Sequence, residues 1–148
     1  MSSQPVDPQA LAEACAAAMW AEDRASRALG MAIESVGPGR AVLTMTVRED
    51  MVNGHGLCHG GFVFTLADSA CAFACNSGNR VTVLQGARID LMRPALLGDV
   101  LRAEARELGR GARSGVYDIE VRRADGKLVA VFRGNTSSSE KSIVTEAP

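Results

Sequence analysis

The 148-residue chain predicts an α+β fold in which a sheet wraps around one long central helix, with an extra helix at the N-terminus. Three observations carry this. Residues 60–75 (GGFVFTLADSACAFAC) form an almost unbroken apolar run whose only polar residues are Thr65, Asp68 and Ser69. A helix of that composition is buried on every side. About six strand-like segments, separated by glycine, proline and asparagine turns, stand before and after it. Residues 8–27 (PQALAEACAAAMWAEDRASR) carry Leu11, Cys15, Ala18 and Met19 at helical spacing.

Taken in order, Asp7 is a plausible cap before Pro8 in the first turn of the N-terminal helix. Segments 31–36 and 40–48 flank the turn Gly37-Pro38-Gly39. A loop from Glu49 to Cys58 contains Asn53-Gly54-His55-Gly56 and leads through His59-Gly60-Gly61 into the central helix. Residues 76–79 reset the chain, and extended segments follow at 80–93, 99–108, 114–123 and 127–135. Asp125-Gly126 is a hairpin turn. In the segment before it, Tyr117, Ile119 and Val121 alternate with Val116, Asp118, Glu120 and Arg122. The polar tail from about 136 to 148 is expected to fray. With no repeat and no linker, residues 1–148 read as a single domain. One sheet covers only part of a helix apolar all round, so a second subunit is expected to cover the rest.

Composition narrows the function. A net charge of −1 argues against a dedicated nucleic-acid binder. The central run is shorter than the roughly 20 residues that span a bilayer, and it holds an acid, so no membrane partner is expected. The start MSSQPVDPQA lacks the basic-then-apolar pattern of a signal peptide, which leads to an expected cytoplasmic location. Cys15, Cys58, Cys71 and Cys75 are then reduced thiols. Cys71 and Cys75 lie one helical turn apart, but no CxxC or second ligand cluster accompanies them, so no metal is expected.

Asp68 is the informative residue. A lone carboxylate in an apolar helix is costly unless it is paired or chemically active. Gly60 and Gly61 open that helix with amides that have no intrahelical partner, an anion-friendly site. A carboxylate and such amides together point to acyl transfer or hydrolysis. Rival readings stay open. Asp68 could pair with Arg88 or Arg93, the two glycines could serve close helix packing, and Asn53 could be an ordinary turn residue. Arg93, just before Pro94, could meet anionic phosphates or simply be solvated. Cys58 beside His59 suggests a nucleophile and base, but adjacent residues usually point apart.

The order of these elements resembles the hotdog-fold acyl-CoA thioesterases, and within them the PaaI type associated with bacterial phenylacetate catabolism. The matching stretches are MWAEDRASRALGM (19–31), NGHGLCHGGFVFTLADSACAFACNS (53–77), IDLMRPALLGD (89–99), GVYDIEV (115–121) and VAVFRG (129–134). HGG followed by LAD marks the broad class. The Ala-Cys-Asn-Ser ending and the N-terminal helix are narrower marks of the PaaI type. The resemblance implies an antiparallel hotdog sheet and hydrolysis of acyl-CoA thioesters, with ring-hydroxylated phenylacetyl-CoA as the substrate class. No cofactor is implied, because coenzyme A is part of the substrate. Asp68 is implied as base or nucleophile, the Gly60 amide as the group that polarises the carbonyl, and Asn53 and His59 as the remaining site residues. Some relatives place a further hydroxyl on the strand after the central helix; here Leu84 falls at that position, with Thr82 and Gln85 near it.

Geometry adds a constraint. Gly60 and Asp68 are eight residues apart on one helix, about 12 Å along its axis. They cannot both reach one thioester carbon. Paired antiparallel central helices would bring Gly60 of one subunit to Asp68 of the other, which gives a dimer with sites shared across its interface; the homo-oligomer expected from the family resemblance is a dimer of such dimers. A hotdog dehydratase would need an Asp and His pair on a different loop, which is not found. A DNA-reading acyl-CoA sensor would need a basic extension that residues 1–30 do not supply.

Overall fold

The computed structural model describes residues 4–146 and 148. Helix α1 (Pro8–Glu22) begins at Asp7, whose carboxylate accepts from the amides of Gln9 at 3.2 Å and Ala10 at 3.4 Å, with Pro8 in the first turn. Its most buried residues are Ala12, Cys15 and Ala16, so the packed face is rotated slightly from the expected one. The expected helix over 8–27 is not continuous. Asp23 leaves helical geometry (φ −81°, ψ 89°) and its carboxylate caps a second helix, α2 (Arg24–Ala28), through the Ser26 amide at 2.9 Å. An aspartate competes for its own backbone in this way and favours caps over helix interiors. Asp23 also accepts from the Ser26 hydroxyl at 2.7 Å, and that hydroxyl meets the Ser69 hydroxyl at 2.9 Å, which fastens α2 to the central helix.

Strands β1 (Ala32–Gly37), β2 (Arg40–Thr46), β3 (Thr82–Leu91), β4 (Val100–Arg110), β5 (Ser114–Arg123) and β6 (Leu128–Ser138) form one antiparallel sheet in the order β1-β2-β4-β5-β6-β3. Central helix α3 (Gly60–Cys75) keeps the boundaries that its sequence suggests and packs across all six strands. The alternation in β5 is realised: Tyr117, Ile119 and Val121 are buried toward the helix. The opposite face carries cross-strand ion pairs such as Arg133–Asp118 at 2.6 Å and Arg102–Glu34 at 2.7 Å. The turn at 125–126 works through Gly126 at φ +82° and the Asp125 carboxylate, which accepts from the Lys127 amide at 3.0 Å.

The core joins α3 to the inner sheet face. Leu66, Ala67 and Ala70 are fully covered by Leu43, Ile119 and Phe132 among others. Phe64 meets Phe132 edge to face at 5.1 Å, and Trp20 of α1 closes over Phe73 at 6.1 Å. The expected frayed tail is corrected. β6 runs on to Ser138, and the following segment is hydrogen-bonded. The Asn79 side-chain oxygen accepts from the amides of Ile143 at 2.9 Å and Val144 at 2.8 Å, and Val81 donates to the carbonyl of Lys141 at 2.8 Å. Asn79 can do this because it adopts φ 63°, which asparagine tolerates better than most residues. No described helix is long and apolar enough to cross a membrane.

Candidate active site

The loop ahead of α3 is built around Asn53. Its backbone N–H donates to Leu57 O at 2.8 Å, and its side-chain oxygen accepts from the amides of His55 at 2.9 Å and Leu57 at 3.2 Å. Asn53 is therefore a turn residue, as one reading of the sequence held. Its Nδ2 group, however, has no acceptor among the described residues, and Asn53 lines the pocket in front of α3. One side chain thus fixes the loop with its oxygen and keeps two donors free.

His59 is the N-cap of α3. Its Nδ1 accepts from the Gly61 amide at 2.9 Å, and its own N–H donates to Met51 O at 2.7 Å. A ring nitrogen that accepts carries no proton at that atom, and the exposed imidazole is held at the helix entrance rather than poised over the pocket. Gly60, between the two, has no acceptor for its N–H among the described residues. It lines the same pocket, a cavity of about 340 Å³ shared with Asn53, Cys58, Leu91 and Arg93. Leu91 crowds position 60: a Cβ there would stand 2.7 Å from its Cδ1, the movable end of an exposed side chain. Sequence reasoning misses Leu91; the only signal for it is its place beside Met92 just before Arg93-Pro94, at the end of an extended segment.

Asp68 lies two turns further along α3, half-buried. Neither arginine of the rival reading pairs with it: Arg88 pairs with Asp90 at 3.2 Å and Arg93 donates to Leu128 O at 3.2 Å. No ion pair or hydrogen bond among the described residues engages its carboxylate. Burial pushes its pKa above the usual carboxylate range. The pocket at Gly60 does not include Asp68. The structure brings together Gly60, Asn53 and, at the helix cap, His59; it leaves Asp68 of the same chain apart from them.

The cysteines are free and buried. Burial, and then the nearby Asp99 carboxylate, raise the pKa of Cys58, which suits an inert thiol rather than a nucleophile. Cys71 is also raised, first by its hydrogen bond with Cys75. No cluster of three or more potential metal ligands occurs among the described residues. Thr82 has its hydroxyl on Arg80 O and the Ser138 hydroxyl, both at 2.9 Å, and Gln85 is exposed.

Residues 55–130 match the thioesterase superfamily. The chain is 46% identical to the acyl-coenzyme A thioesterase PaaI of Escherichia coli K12 over 130 residues, covering 88% of this chain and 93% of that protein. It superposes on the structure of the E. coli PaaI protein from the phenylacetic acid degradation operon with a TM-score of 0.90 at 43% identity, over 92% of this chain and 99% of that one. A Streptococcus mutans protein bound to acetyl-CoA gives a TM-score of 0.73 at 25% identity, over 76% and 90% of the two chains.

Proposed function

The chain belongs to the thioesterase superfamily as a hotdog-fold acyl-CoA thioesterase of the PaaI type, and from that premise we propose that it hydrolyses aryl-acetyl-CoA thioesters such as hydroxyphenylacetyl-CoA in phenylacetate catabolism. The observation that carries the reading is the pair of unused groups on α3: the Gly60 amide opening onto a pocket, and a half-buried Asp68 without a partner. A helix-terminal amide stabilises negative charge that develops on a carbonyl oxygen. An ionised carboxylate in a partly dry setting is a base or a nucleophile.

The two groups act together only between copies. Gly61, Thr65, Asp68 and Ala72 keep some exposure on α3 and recur at helical spacing, so they form one stripe that the chain's own sheet does not cover. β3 is an edge strand, paired only with β6, and Val83 and Leu91 stand exposed on it. Both features support an antiparallel dimer with α3 against α3, itself paired into a tetramer. In that dimer Gly60 and Asn53 of one subunit hold the thioester carbonyl, and Asp68 of the other faces its carbon. As a base, Asp68 takes a proton from water. The hydroxide adds to the carbonyl carbon, the oxyanion rests on the Gly60 N–H, and collapse breaks the C–S bond; the proton held by Asp68 passes to the leaving thiolate, which releases the acid and the CoA thiol and restores the carboxylate. As a nucleophile, Asp68 adds directly and the resulting anhydride is hydrolysed. His59 positions the Gly60–Gly61 amides. The protein is expected to work in the cytoplasm, where thiols stay reduced.

Thiol release from a panel of acyl-CoAs tests the reading. Hydroxyphenylacetyl-CoA is expected to give the highest kcat/KM, with long straight chains at least about tenfold lower, roughly 1.4 kcal/mol in transition-state binding. A preference for palmitoyl-CoA would remove the aryl-acetyl assignment, and no thiol release from any member would remove the activity itself.

A further inference from the structure

The stripe of α3 that the chain's own sheet leaves uncovered does not end at Asp68. One turn on, about 6 Å along the axis, Ala72 opens onto a second cavity of about 430 Å³ that the chemistry proposed above does not use. Ala18 and Met19 of α1 line it, together with Val81 and with Ile143 of the C-terminal segment. Ile143 is held there by its amide, which donates to the Asn79 side chain at 2.9 Å. Thr82 also borders the cavity, but its hydroxyl is engaged with Arg80 O and the Ser138 hydroxyl, both at 2.9 Å. Glu22, the last residue of α1, is the one charged residue among those that line it. Its carboxylate has no hydrogen bond or ion pair among the described residues. The groove is thus a largely apolar trough with one free acceptor at its edge, the make-up of a small-molecule site.

The register of the proposed dimer decides what the groove faces. With Gly60 of one subunit against Asp68 of the other, antiparallel helices set Ala72, four residues past Asp68, against Gly56, four residues before Gly60. The groove of one subunit then lies beside the loop that Asn53 builds in the other. A thioester carbonyl held at Gly60 can send its acyl group one turn along the facing helix, past Ala72 and between α1 and Ile143. A single ring on a methylene fits a trough of that reach. An ionised carboxylate accepts hydrogen bonds and does not donate them, so Glu22 suits an acyl group that carries a donor at its far end. We propose that this groove, on the subunit that supplies Asp68, receives the acyl group, and that Glu22 accepts a hydrogen bond from a hydroxyl on its ring. Glu22 is then a specificity-determining residue. The proposal rests on the thioesterase reading, and deepens it by naming where the acyl group goes and what recognises its hydroxyl.

The experiment measures kcat/KM for phenylacetyl-CoA and its meta- and para-hydroxy derivatives in wild type, Glu22→Ala and Glu22→Gln. The advantage of the better hydroxy ester over phenylacetyl-CoA is expected to be about tenfold in wild type and below about twofold in Glu22→Ala. Glu22→Gln, which keeps one acceptor oxygen, should fall between them. Ala72→Leu fills the start of the groove and should lower kcat/KM for phenylacetyl-CoA at least about tenfold relative to acetyl-CoA. Mixed dimers assign the groove to a subunit. In dimers of Asp68→Asn with Gly60→Pro chains, the working site takes its Asp68 from the Gly60→Pro chain. Glu22→Ala added to that chain should remove the hydroxyl advantage, and added to the other chain should leave it. No hydroxyl advantage in wild type, an advantage that survives Glu22→Ala, an equal loss on every ester, or an effect from the wrong chain overturns the proposal. Verified mixed dimers without activity remove the shared site and this placement with it. Wild-type protein that releases thiol from no ester defeats the thioesterase reading instead. Calorimetry with free hydroxyphenylacetate then decides on the groove: binding weakened by both Glu22→Ala and Ala72→Leu supports it, and binding that is unchanged or absent overturns it.

Discussion

At its C-terminal end α3 is closed off by Asn76. That residue is buried; its Nδ2 donates to Ala72 O at 2.8 Å and to Thr82 O at 2.9 Å, and its Oδ1 accepts from the Thr82 amide at 2.9 Å. Ser77 follows by accepting from the Gly39 amide at 2.8 Å, which ties the helix end to the β1–β2 turn. At its N-terminal end the same helix is left open: His59 caps the Gly61 amide, but the Gly60 amide and the Asn53 Nδ2, on two residues that line the pocket, have no acceptor among the described residues. Under the proposed function, the difference separates an end of the helix that serves stability from one that serves reactivity. Satisfied groups at one end hold the helix in register, so that unsatisfied groups at the other can wait for a substrate. Asp68 belongs with the open end in chemistry, although it lies further along the helix.

The strongest way to break that comparison is to separate the two reactive groups. Asp68→Asn keeps the size but removes basicity, and kcat is expected to fall by about 10² or more. Gly60→Pro removes the proposed oxyanion donor; proline suits this first position, His59 already has the extended backbone (φ −58°, ψ 131°) that proline requires before it, and the new Cβ requires only that the exposed Leu91 side chain turn its Cδ1 aside. Each variant alone should be nearly inactive. Mixed dimers of the two should regain one working site, and verified heterodimers without activity would dismiss the shared site. The raised pKa of Asp68 adds a sign check. Ionised Asp68 is lost as pH falls through a value above the usual carboxylate range, so the acid limb of kcat/KM should lie higher than for an exposed aspartate. For stability the sense is opposite. The fold favours the protonated form, and that contribution, complete below the ordinary carboxylate pKa, disappears as pH rises through the raised one. Asp68→Asn should therefore be at least as stable as wild type at neutral pH, as urea denaturation at matched protein concentration would show.

The opposite end should respond in the opposite currency. Asn76→Ala leaves the Thr82 N–H without its Asn76 partner and the Thr82 C=O with only the Cys75 thiol at 4.0 Å, in a buried setting, with an expected loss of about 3 kcal/mol in unfolding free energy. The urea midpoint should drop, while kcat per folded site stays near that of wild type. An Asn76→Ala protein of normal stability but poor turnover would reverse the division of labour between the ends.

Much of this was legible in the sequence because the signals were local. The apolar run from Gly60 to Cys75 marked α3 to the residue, and the lone Asp68 within it is the residue on which the proposed chemistry rests. Asn53 was legible as a turn residue and as a site residue, but not as both at once, since that depends on which of its side-chain atoms the loop uses. What sequence could not supply were relations between distant residues. Asp23 breaks the N-terminal helix because Ser26 must reach Ser69, 43 positions away. The tail is held because Asn79 accepts from amides more than 60 positions later. Leu91 over Gly60 is a contact between a strand end and a helix start, and nothing in the spacing of either segment announces it.

The smallest effect belongs to His59, and it sharpens the boundary between cap and catalyst. Its Nδ1 accepts from the Gly61 amide, the task that asparagine performs well at a helix N-cap. His59→Asn should therefore keep unfolding free energy within about 0.5 kcal/mol of wild type, whereas His59→Ala should lose about 1 kcal/mol. If His59 only positions the Gly60–Gly61 amides, kcat/KM for His59→Asn should stay within about threefold of wild type. Proton transfer by the imidazole would predict a different pattern: both variants would lose about 10²-fold regardless of how well the cap is restored. The comparison of asparagine with alanine at this one position thus separates a group that holds the open end of α3 from one that takes part in the reaction.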